Sequence, residues 1–516
     1  MPRYSFRFDE ATIGDLQARM ESGRLSSRAL VRAYLRRIDT IDRAGPGRLG
    51  LRSVLEVNPD AERIAATLDE ERRHEGPRGP LHGIPVLVKD NMDSADRLHT
   101  SAGSLALTGS RPKRDATVVE RLRNAGAVIL GKTNLSEWSN LRSPHSSSGW
   151  SGRGGQTRNP YALDRSPSGS SSGSAAAVAA NLATATLGTE TDGSILCPAA
   201  ACCVVGIKPT VGLTSRAGVI PIAHSQDTVG PICRTVADAA TVLGALVGVD
   251  PRDPATRDSE GKFHTSYRRF LDAGALHGAR IGIPREVYYG YSPPANQIAE
   301  EAIEALRAAG AEVVDPADIP GAREMAGFTA ERELEVLLYE LKHDLDEYLA
   351  ARDDPKIRSL ADVIAFNEAH ADRELQHFGQ EFLLAAQEKG PLTEPAYLEA
   401  LAGNRRLSRE QGIDKLLEDL RLDALLVPTS APPWTIDLVN GDHVLGEGST
   451  PAALAAYPAV TVPAGYADGL PVGVTFFGTA WSEPTLIRLA YAFEQATKVR
   501  HPPRFHPGGL DHKARS

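Results

Sequence analysis

Two serine-containing segments carry the side chains best suited to nucleophilic chemistry. Ser170 lies in the Gly/Ser-rich stretch SPSGSSSGS at 166–174, and Ser194 follows Asp192-Gly193 in a second turn. The two serines are 24 residues apart, and the Ala-rich sequence between them predicts a helix that folds the chain back. We therefore expect both hydroxyls at one site, where a serine can attack a carbonyl carbon once a base accepts its proton.

A lysine is the candidate base, because no Asp and His stand at an obvious nearby position. Lys89 ends the apolar run at 84–88, and Lys208 follows the apolar run at 204–207. A lysine at the end of a buried strand can lie in a low-dielectric environment, which lowers its pKa and favours the neutral amine. The residues alone leave both lysines as candidates.

The turn GTETDG at 188–193 is the candidate oxyanion site. Successive backbone N–H groups in such a turn can converge on a negatively charged oxygen.

Two other motifs offer competing interpretations. GAVILGKT at 126–133 fits the phosphate-binding G-x-x-x-x-G-K-T pattern, but its central residues favour a strand and a helix precedes it, where the motif needs a strand first. GSSSG at 169–173 fits the nucleophile elbow of α/β-hydrolases with Ser171 as nucleophile, yet the preceding RNPYALDRSPS is not a buried strand. A flexible linker, the third interpretation of the Gly/Ser stretch, disagrees with the core-forming sequence on both sides.

Composition narrows the function classes. The chain has 516 residues and a net charge of −9, which disfavours a general nucleic-acid binder. No apolar run reaches the length of a membrane span, and MPRYSFRFDEAT at the N-terminus lacks the pattern of a signal peptide, so we expect a cytoplasmic enzyme, although a trimmed leader would leave no trace. The four cysteines cluster between 197 and 233 without disulfide or zinc spacing, and the 14 His are scattered, so no metal site is predicted.

Strands and helices alternate along most of the chain, which predicts an α/β fold: one large domain spanning 1–516, with a central mixed, twisted β-sheet covered by helices on both faces. Residues 320–420 are charge-rich and helical by pattern, and we interpret them as an elaboration covering the sheet. The predicted strands are 84–88, 127–130, 280–283, 311–314, 424–427, 460–462 and 472–477, and the predicted helices include 26–41, 116–124, 175–186 and 298–310.

Longer segments resemble one family. The stretch from 166 to 212 is similar to the signature of the amidase signature family, and LHGIPVLVKDN (81–91), GAVILGKTNLSEW (126–138) and AYPAVTVPAGYADGLPVGVTFFG (456–478) resemble further family segments in the expected order. Within the family, GWSGRGGQTRNPY (149–161), GTETDGSILCPAA (188–200) and SQDTVGP (225–231) are most like bacterial peptide amidases. The signature core would span about 81–235, and the C-terminal strands and helix about 424–500.

The resemblance implies a Ser-Ser-Lys triad. Ser194 corresponds to the nucleophile, Lys89 to the base and Ser170 to a bridging serine that follows a cis peptide bond. The backbone amides of Thr191, Asp192, Gly193 and Ser194 would then hold the oxyanion. Ser171 would be a supporting hydrogen-bond partner, and Lys208 would be structural. The resemblance also implies a cofactor-free amidohydrolase with an acyl-enzyme intermediate.

Two positions depart from the common family pattern: Asp192 stands where glycine is usual, and Leu196 where arginine is usual. Both favour the peptide-amidase branch over the transamidase branch. The Asp192 carboxylate is expected either to contact substrate or to cap its own turn. We further expect the loop 138–156, including Trp138 and Trp150, to form part of the substrate pocket.

The sequence therefore predicts an amidase that removes the C-terminal amide of peptides, with a peptide or small-molecule amide as its partner, no nucleic acid or membrane, and an organisation compatible with a monomer. The alternatives are a general aryl, aliphatic or fatty amide amidase, an α/β-hydrolase esterase using Ser171, and an inactive binding protein.

Overall fold

A computed structural model describes residues 6–45, 49–326, 331–352 and 354–508. Residues 327–330 and 353 of the predicted helical region lie outside this range. Short apolar runs bounded by Gly, Pro and polar residues form the strands, as expected for strands that are covered on both faces.

Eleven of the described strands form one mixed sheet, in the order β1-β3-β2-β6-β8-β7-β12-β13-β11-β9-β10, and β4 pairs with β5 in a separate hairpin. The strands are β1 (Val54–Val57), β2 (Pro85–Lys89), β3 (Val128–Thr133), β4 (Trp150–Ser151), β5 (Gly155–Gln156), β6 (Ala185–Glu190), β7 (Val205–Lys208), β8 (Thr228–Cys233), β9 (Arg280–Gly282), β10 (Glu312–Val314), β11 (Ala424–Pro428), β12 (Ala459–Ala467) and β13 (Leu470–Phe477).

Seventeen α-helices of the described chain surround and connect these strands. They are α1 (Ile13–Glu21), α2 (Ser27–Arg37), α3 (Ala61–His74), α4 (Thr117–Asn124), α5 (Ser172–Ala179), α6 (Leu196–Ala201), α7 (Val236–Leu246), α8 (Pro293–Ala308), α9 (Ala322–Met325), α10 (Glu331–Ala351), α11 (Leu360–Ala369), α12 (Ala371–Glu374), α13 (Glu381–Gln387), α14 (Pro395–Ser408), α15 (Asp414–Leu420), α16 (Thr450–Leu454) and α17 (Glu483–Thr497).

Successive residues of a strand belong to different hydrophobic clusters, because their side chains point to opposite faces of the sheet, and helices therefore pack on both faces. Ala424 and Leu426 of β11 join the cluster that contains α2, α3, α4, α7, α8 and α17, whereas Leu425 and Val427 join the cluster of α15 and α16. Ile232 of β8 packs with α5 and α6 in a third cluster. The period of two along each strand thus produces the predicted layered architecture, a large single domain.

The predicted strands are present, with ends shifted by a few residues. The predicted helix 175–186 is wrong in its second half: α5 ends at Ala179, and β6 begins at Ala185. A run of Ala and Thr is compatible with a helix or a strand. Here the segment forms the strand β6 because it pairs with β2 on one side and β8 on the other, with Ala185 opposite Val86 and Cys233. GAVILGKT forms the strand β3 rather than a phosphate loop.

The helical region 320–420 covers one face of the sheet only in part: α9, α15 and the end of α14 pack against Leu425 and Val427 of β11. Its helices α10, α11 and α13 share a cluster with Ala102, Leu107, Trp138 and Ile220, which lie in loops beyond strand ends rather than on the sheet face. These three helices therefore cover the loops that surround the site described below, whereas the other helices named here lie on the sheet. Among the described residues, no helix is both long and apolar enough to cross a membrane.

Candidate active site

Lys89 is the last residue of β2 and is completely buried. Its Nζ lies 2.7 Å from Ser170 Oγ, 2.8 Å from Thr189 Oγ1 and 3.3 Å from the Thr189 carbonyl oxygen. Burial lowers the pKa of Lys89 to about 7, and the charges of Asp227 and Glu190 only partly oppose this shift. The side chain can therefore exchange between ammonium and amine near neutrality, and the two neighbouring hydroxyls can donate or accept accordingly.

Ser170 lies in the segment that leads into α5, and the Gly169–Ser170 peptide bond is cis, as the resemblance implies. The carbonyl oxygen of Ser170 accepts a hydrogen bond from the Ser136 N–H at 3.1 Å. The Ser170 side chain is completely buried. The hydrogen bond from Ser136, which follows β3, thus fixes the backbone of the loop that holds the Ser170 hydroxyl against Lys89.

Ser194 lies in the turn between β6 and α6. Gly193 in this turn has φ +72°, and a Cβ there would come within 2.9 Å of Cys197 Sγ and 3.0 Å of Ser449 Oγ, so glycine is required. The Glu190 carboxylate accepts hydrogen bonds from the backbone N–H groups of Ile195 and Leu196 at 2.7 and 2.9 Å, which fixes the exit of the turn.

One backbone hydrogen bond joins the two serine loops: the Ser171 N–H donates to the Ser194 carbonyl at 3.1 Å. Ser194, Asp192 and Gly169 line a cavity of about 560 Å³. Ser194 is 7% exposed, whereas Lys89 and Ser170 are 0% exposed. A ligand in the cavity can therefore reach Ser194, whereas the side chains of Ser170 and Lys89 are closed off from solvent. The structure thus brings Lys89 into contact with Ser170 and places the loop of Ser170 and Ser171 against the turn that holds Ser194.

Three residues of the site were missed by the sequence analysis. Thr189 contacts Lys89 directly, and Asn91 Nδ2 donates to Thr189 Oγ1 at 3.0 Å. Asp227 accepts from Thr191 Oγ1 at 2.5 Å and from the N–H groups of residues 222 and 223 at 2.8 and 3.0 Å. All three lie inside the segments that resemble the family, and this position is the one feature of the sequence that could have identified them as site residues.

Asp192 ties its turn to a distant loop. Its carboxylate accepts from Ser449 Oγ and from Thr450 Oγ1, the latter at 2.8 Å, and burial raises its pKa. Neither expectation for Asp192 included this contact. Since Asp192 also lines the cavity, contact with substrate remains a prediction.

Ser171 and Lys208 occupy supporting positions. Ser171 is completely buried, its Oγ donates to the Thr189 carbonyl at 3.1 Å, and the segment that leads into it is irregular rather than a buried strand. These observations disagree with the α/β-hydrolase interpretation. Lys208 Nζ donates to the Tyr457 carbonyl at 2.6 Å and points toward the loop after α16.

Trp138 and Trp150, which the sequence analysis expected in the pocket wall, lie elsewhere, so that expectation is wrong. Both are buried, at 4% exposure. Trp138 packs in the cluster of α10, α11 and α13, and Trp150 packs edge-on against Phe378. Large aromatic rings gain more from burial in a core than from an open wall. The loop itself does line the cavity, through its small polar residues Ser139, Asn140, Ser143, Ser146 and Ser148.

A charged cluster lies beyond the site, where His224 meets α10. His224 Nδ1 lies 2.9 Å from Asp344, and its Nε2 lies 3.4 Å from Glu340. These three side chains offer ligand atoms that could surround a metal ion, which the sequence analysis did not anticipate because no short spacing joins them. Each ring nitrogen faces a carboxylate, so the arrangement also suits an imidazolium.

The His224 cluster predicts a pH-dependent stability. Burial opposes the charge, but the hydrogen bond to Asp344 and the charges of Glu340 and Asp344 raise the pKa of His224. Because the folded-state pKa is above the unfolded one, this stabilisation is complete below about pH 6.5 and is lost as the pH rises through the folded pKa. We expect His224→Gln to lower the melting temperature at pH 6 and to have little effect at pH 9. Equal losses at both pH values in thermal scans would contradict this assignment.

Comparisons with known proteins agree with the geometry. The family model described as Amidase matches residues 29–487. A native peptide amidase from Stenotrophomonas maltophilia has a solved structure that is 54% identical, with a TM-score of 0.91, and the match covers 97% of this chain and 100% of that one. A peptide amidase solved with the competitive inhibitor chymostatin is also 54% identical, with a TM-score of 0.92 and the same coverage.

A plant relative extends the match beyond bacteria. A probable amidase from Arabidopsis thaliana is 45% identical over 506 residues, and the match covers 97% of this chain and 93% of that protein. The family model and these relatives each span most of the chain, including both serine loops and Lys89. The chain therefore belongs to the amidase (amidase signature) family and is a hydrolase that acts on amide C–N bonds.

Proposed function

We propose that the protein hydrolyses the C-terminal carboxamide of peptides through an acyl-enzyme. The observation that carries the proposal is the 2.7 Å contact of a buried Lys89 Nζ with Ser170 Oγ, whose neighbour Gly169 lines the same cavity as Ser194. In 54% identical solved relatives the activity named is that of a peptide amidase. The cavity of about 560 Å³ falls within the usual range of ligand pockets.

The first half-reaction forms the ester. Neutral Lys89 accepts the proton of Ser170 Oγ, which in turn accepts the proton of Ser194 Oγ as that oxygen attacks the carboxamide carbon. The negative charge on the former carbonyl oxygen is stabilised by backbone N–H groups of residues 191–194. The C–N bond then breaks, the proton returns through Ser170 to the departing nitrogen, and ammonia leaves.

The second half-reaction restores the enzyme. A water molecule loses a proton to Ser170 and Lys89 by the same route and attacks the ester carbon. Collapse of this intermediate breaks the bond to Ser194 Oγ, which regains a proton, and the peptide leaves as a free acid. One water is consumed for each amide converted, and Lys89 ends as a neutral amine.

We also propose that the enzyme works in the cytoplasm. The four cysteines, Cys197, Cys202, Cys203 and Cys233, are free and buried, which suits a compartment that keeps thiols reduced.

A substrate panel tests the specificity. We expect kcat/KM for dipeptide and tripeptide amides to exceed that for propionamide and benzamide at least tenfold, which corresponds to about 1.4 kcal/mol of additional transition-state binding. Ammonia release gives the rate, and mass spectrometry checks that only the terminal amide becomes an acid. Equal or faster turnover of the simple amides would overturn the peptide assignment while leaving the amidase assignment intact.

A further inference from the structure

The cavity that Ser194 lines has one kind of charge in its wall. Among the described residues that line it, Asp192, Asp442 and Glu447 carry a charge, and none is Lys, Arg or His. We call these three side chains the acidic wall. Ser194 is 7% exposed, and its hydroxyl makes no hydrogen bond to another described residue, so a molecule bound in this cavity can supply its partner.

The acidic wall is accessible from the cavity and lies close to the proposed nucleophile. Asp442 and Glu447 are half-buried, and Asp192 is 7% exposed. A Cβ on Gly193 would come within 3.4 Å of Glu447 Oε2, so this carboxylate lies against the turn that holds Ser194. A charged side chain of a substrate held at Ser194 therefore enters the field of these carboxylates.

Neutral donors, rather than cations, contact the three carboxylates. Glu447 Oε2 accepts from Cys197 Sγ at 3.3 Å, and Asp442 accepts from the Ser148 N–H at 2.9 Å. Asp192 accepts from the two hydroxyls described above. Hydrogen bonds of this kind stabilise an ionised carboxylate but leave its negative charge in place.

The cations near the acidic wall lie outside the cavity. Lys208 and His443 act through space on Asp192 and Asp442, respectively, and neither lines the cavity. Lys89 and Lys208 are completely buried. Among the described residues, no Lys or Arg forms an ion pair with a carboxylate of the acidic wall. The cavity therefore presents an uncompensated negative charge to a substrate.

Apolar side chains form another part of the cavity wall. They belong to Val287, Phe382, Val444 and Leu445. Such a surface can cover the hydrocarbon stem of a long side chain while the charged end of that side chain meets the acidic wall. A lysine or arginine side chain combines these two properties.

We propose that the acidic wall selects substrates by charge, favouring amides with a cationic side chain and rejecting those with a carboxylate side chain. The carboxylates attract an ammonium or guanidinium group and repel another carboxylate, so the same wall provides both parts of the discrimination. This inference rests on the function proposed above, and it names basic peptide amides as the preferred substrates.

A charge series of acetylated dipeptide amides tests the selection. The series is Gly-Lys, Gly-norleucine and Gly-Glu amide, with the same pairs in reverse order to vary the second position. Acetylation removes the terminal amine, so that the side chain alone carries charge. At pH 8.5, Glu447 and Lys89, each with a pKa of about 7, are ionised and neutral, respectively. We expect kcat/KM for the lysine substrate to exceed that for the glutamate substrate at least tenfold at one of the two positions, with norleucine between them.

Glu447→Gln removes one charge from the acidic wall and keeps the size of the side chain. It should reduce the ratio of the lysine to the glutamate kcat/KM at least threefold, and a general loss of activity would leave this ratio unchanged. Glu418→Gln is the matched control, because Glu418 is exposed on α15 and its replacement changes the net charge of the protein equally. This control should keep the wild-type ratio. Melting temperatures check that both variants are folded.

A second series separates this inference from the peptide assignment. It consists of 6-aminohexanamide, hexanamide and adipamic acid, which carry positive, zero and negative charge on similar chains. Preference for 6-aminohexanamide over adipamic acid, with poor turnover of every peptide amide, would overturn the peptide assignment and support the acidic wall. Equal kcat/KM across the charges in both series, or a ratio that Glu447→Gln and Glu418→Gln change equally, would overturn the role of the acidic wall.

Discussion

Replacement of Ser194 by alanine is expected to lower kcat at least 10³-fold, because it removes the cavity-lining hydroxyl that the proposed reaction uses as the nucleophile. The fold should be unaffected, since the backbone of the turn is fixed by Gly193 and Glu190 rather than by the Ser194 side chain. Ammonia release from a peptide amide measures the loss, and the melting temperature checks the fold.

Ser171→Ala is the matched control for this experiment. Ser171 is one residue from the bridging serine and its hydroxyl bonds only the Thr189 carbonyl, at 3.1 Å, and the Thr189 N–H, at 3.3 Å, among the described residues. Its removal should cost about 1 kcal/mol of stability and leave kcat within roughly tenfold of the wild type. Wild-type turnover by Ser194→Ala together with an inactive Ser171→Ala would overturn the assignment of the nucleophile.

Lys89→Met is expected to reduce kcat/KM by about 10³-fold or more, because the proton of the serine pair would have no acceptor. Methionine is of similar length and carries no charge, so the completely buried position should accept it. In the wild type, burial lowers the pKa of Lys89 to about 7, and only the neutral amine can act as the base. We therefore expect log(kcat/KM) to rise by one per pH unit below about pH 7 and to level off above it.

Lys208→Met supplies the control for the lysine. Lys208 is equally buried, and burial lowers its pKa to about 8, but its ammonium bonds the Tyr457 carbonyl instead of a serine. This variant should lose stability and retain an inflection near pH 7 in its remaining activity. A wild-type profile that stays flat down to pH 4, or an inflection that disappears in Lys208→Met but not in Lys89→Met, would contradict the role of Lys89.

Much of the layered fold was predictable, because alternation of apolar residues and punctuation by Gly and Pro are local properties. The strands β2, β3, β11, β12 and β13 follow from such patterns. β6 could not be separated from the helix before it, since alanine and threonine are compatible with both structures and the neighbouring strands made the choice. The two tryptophans were misplaced because composition does not tell a core-facing ring from a pocket-facing one.

The choice between the two candidate lysines shows what tertiary structure adds. Each ends a buried strand, so local sequence gives them the same properties. The sheet order β2-β6-β8-β7 puts Lys89 on the strand beside β6, whose end leads to Ser194, while β8 separates Lys208 from it. Strand order is a long-range property, so the residues alone left both open and only the family resemblance selected Lys89.

The sequence by itself determined the chemistry available to this protein: serines in Gly-rich turns, a lysine at a strand end and the order of segments that marks the family. The tertiary structure decided which groups meet. Lys89 contacts Thr189, which is 100 residues away in the sequence, and Asp192 contacts Ser449, which is 257 residues away. No local pattern encodes such pairs, because they depend on strand order and loop packing.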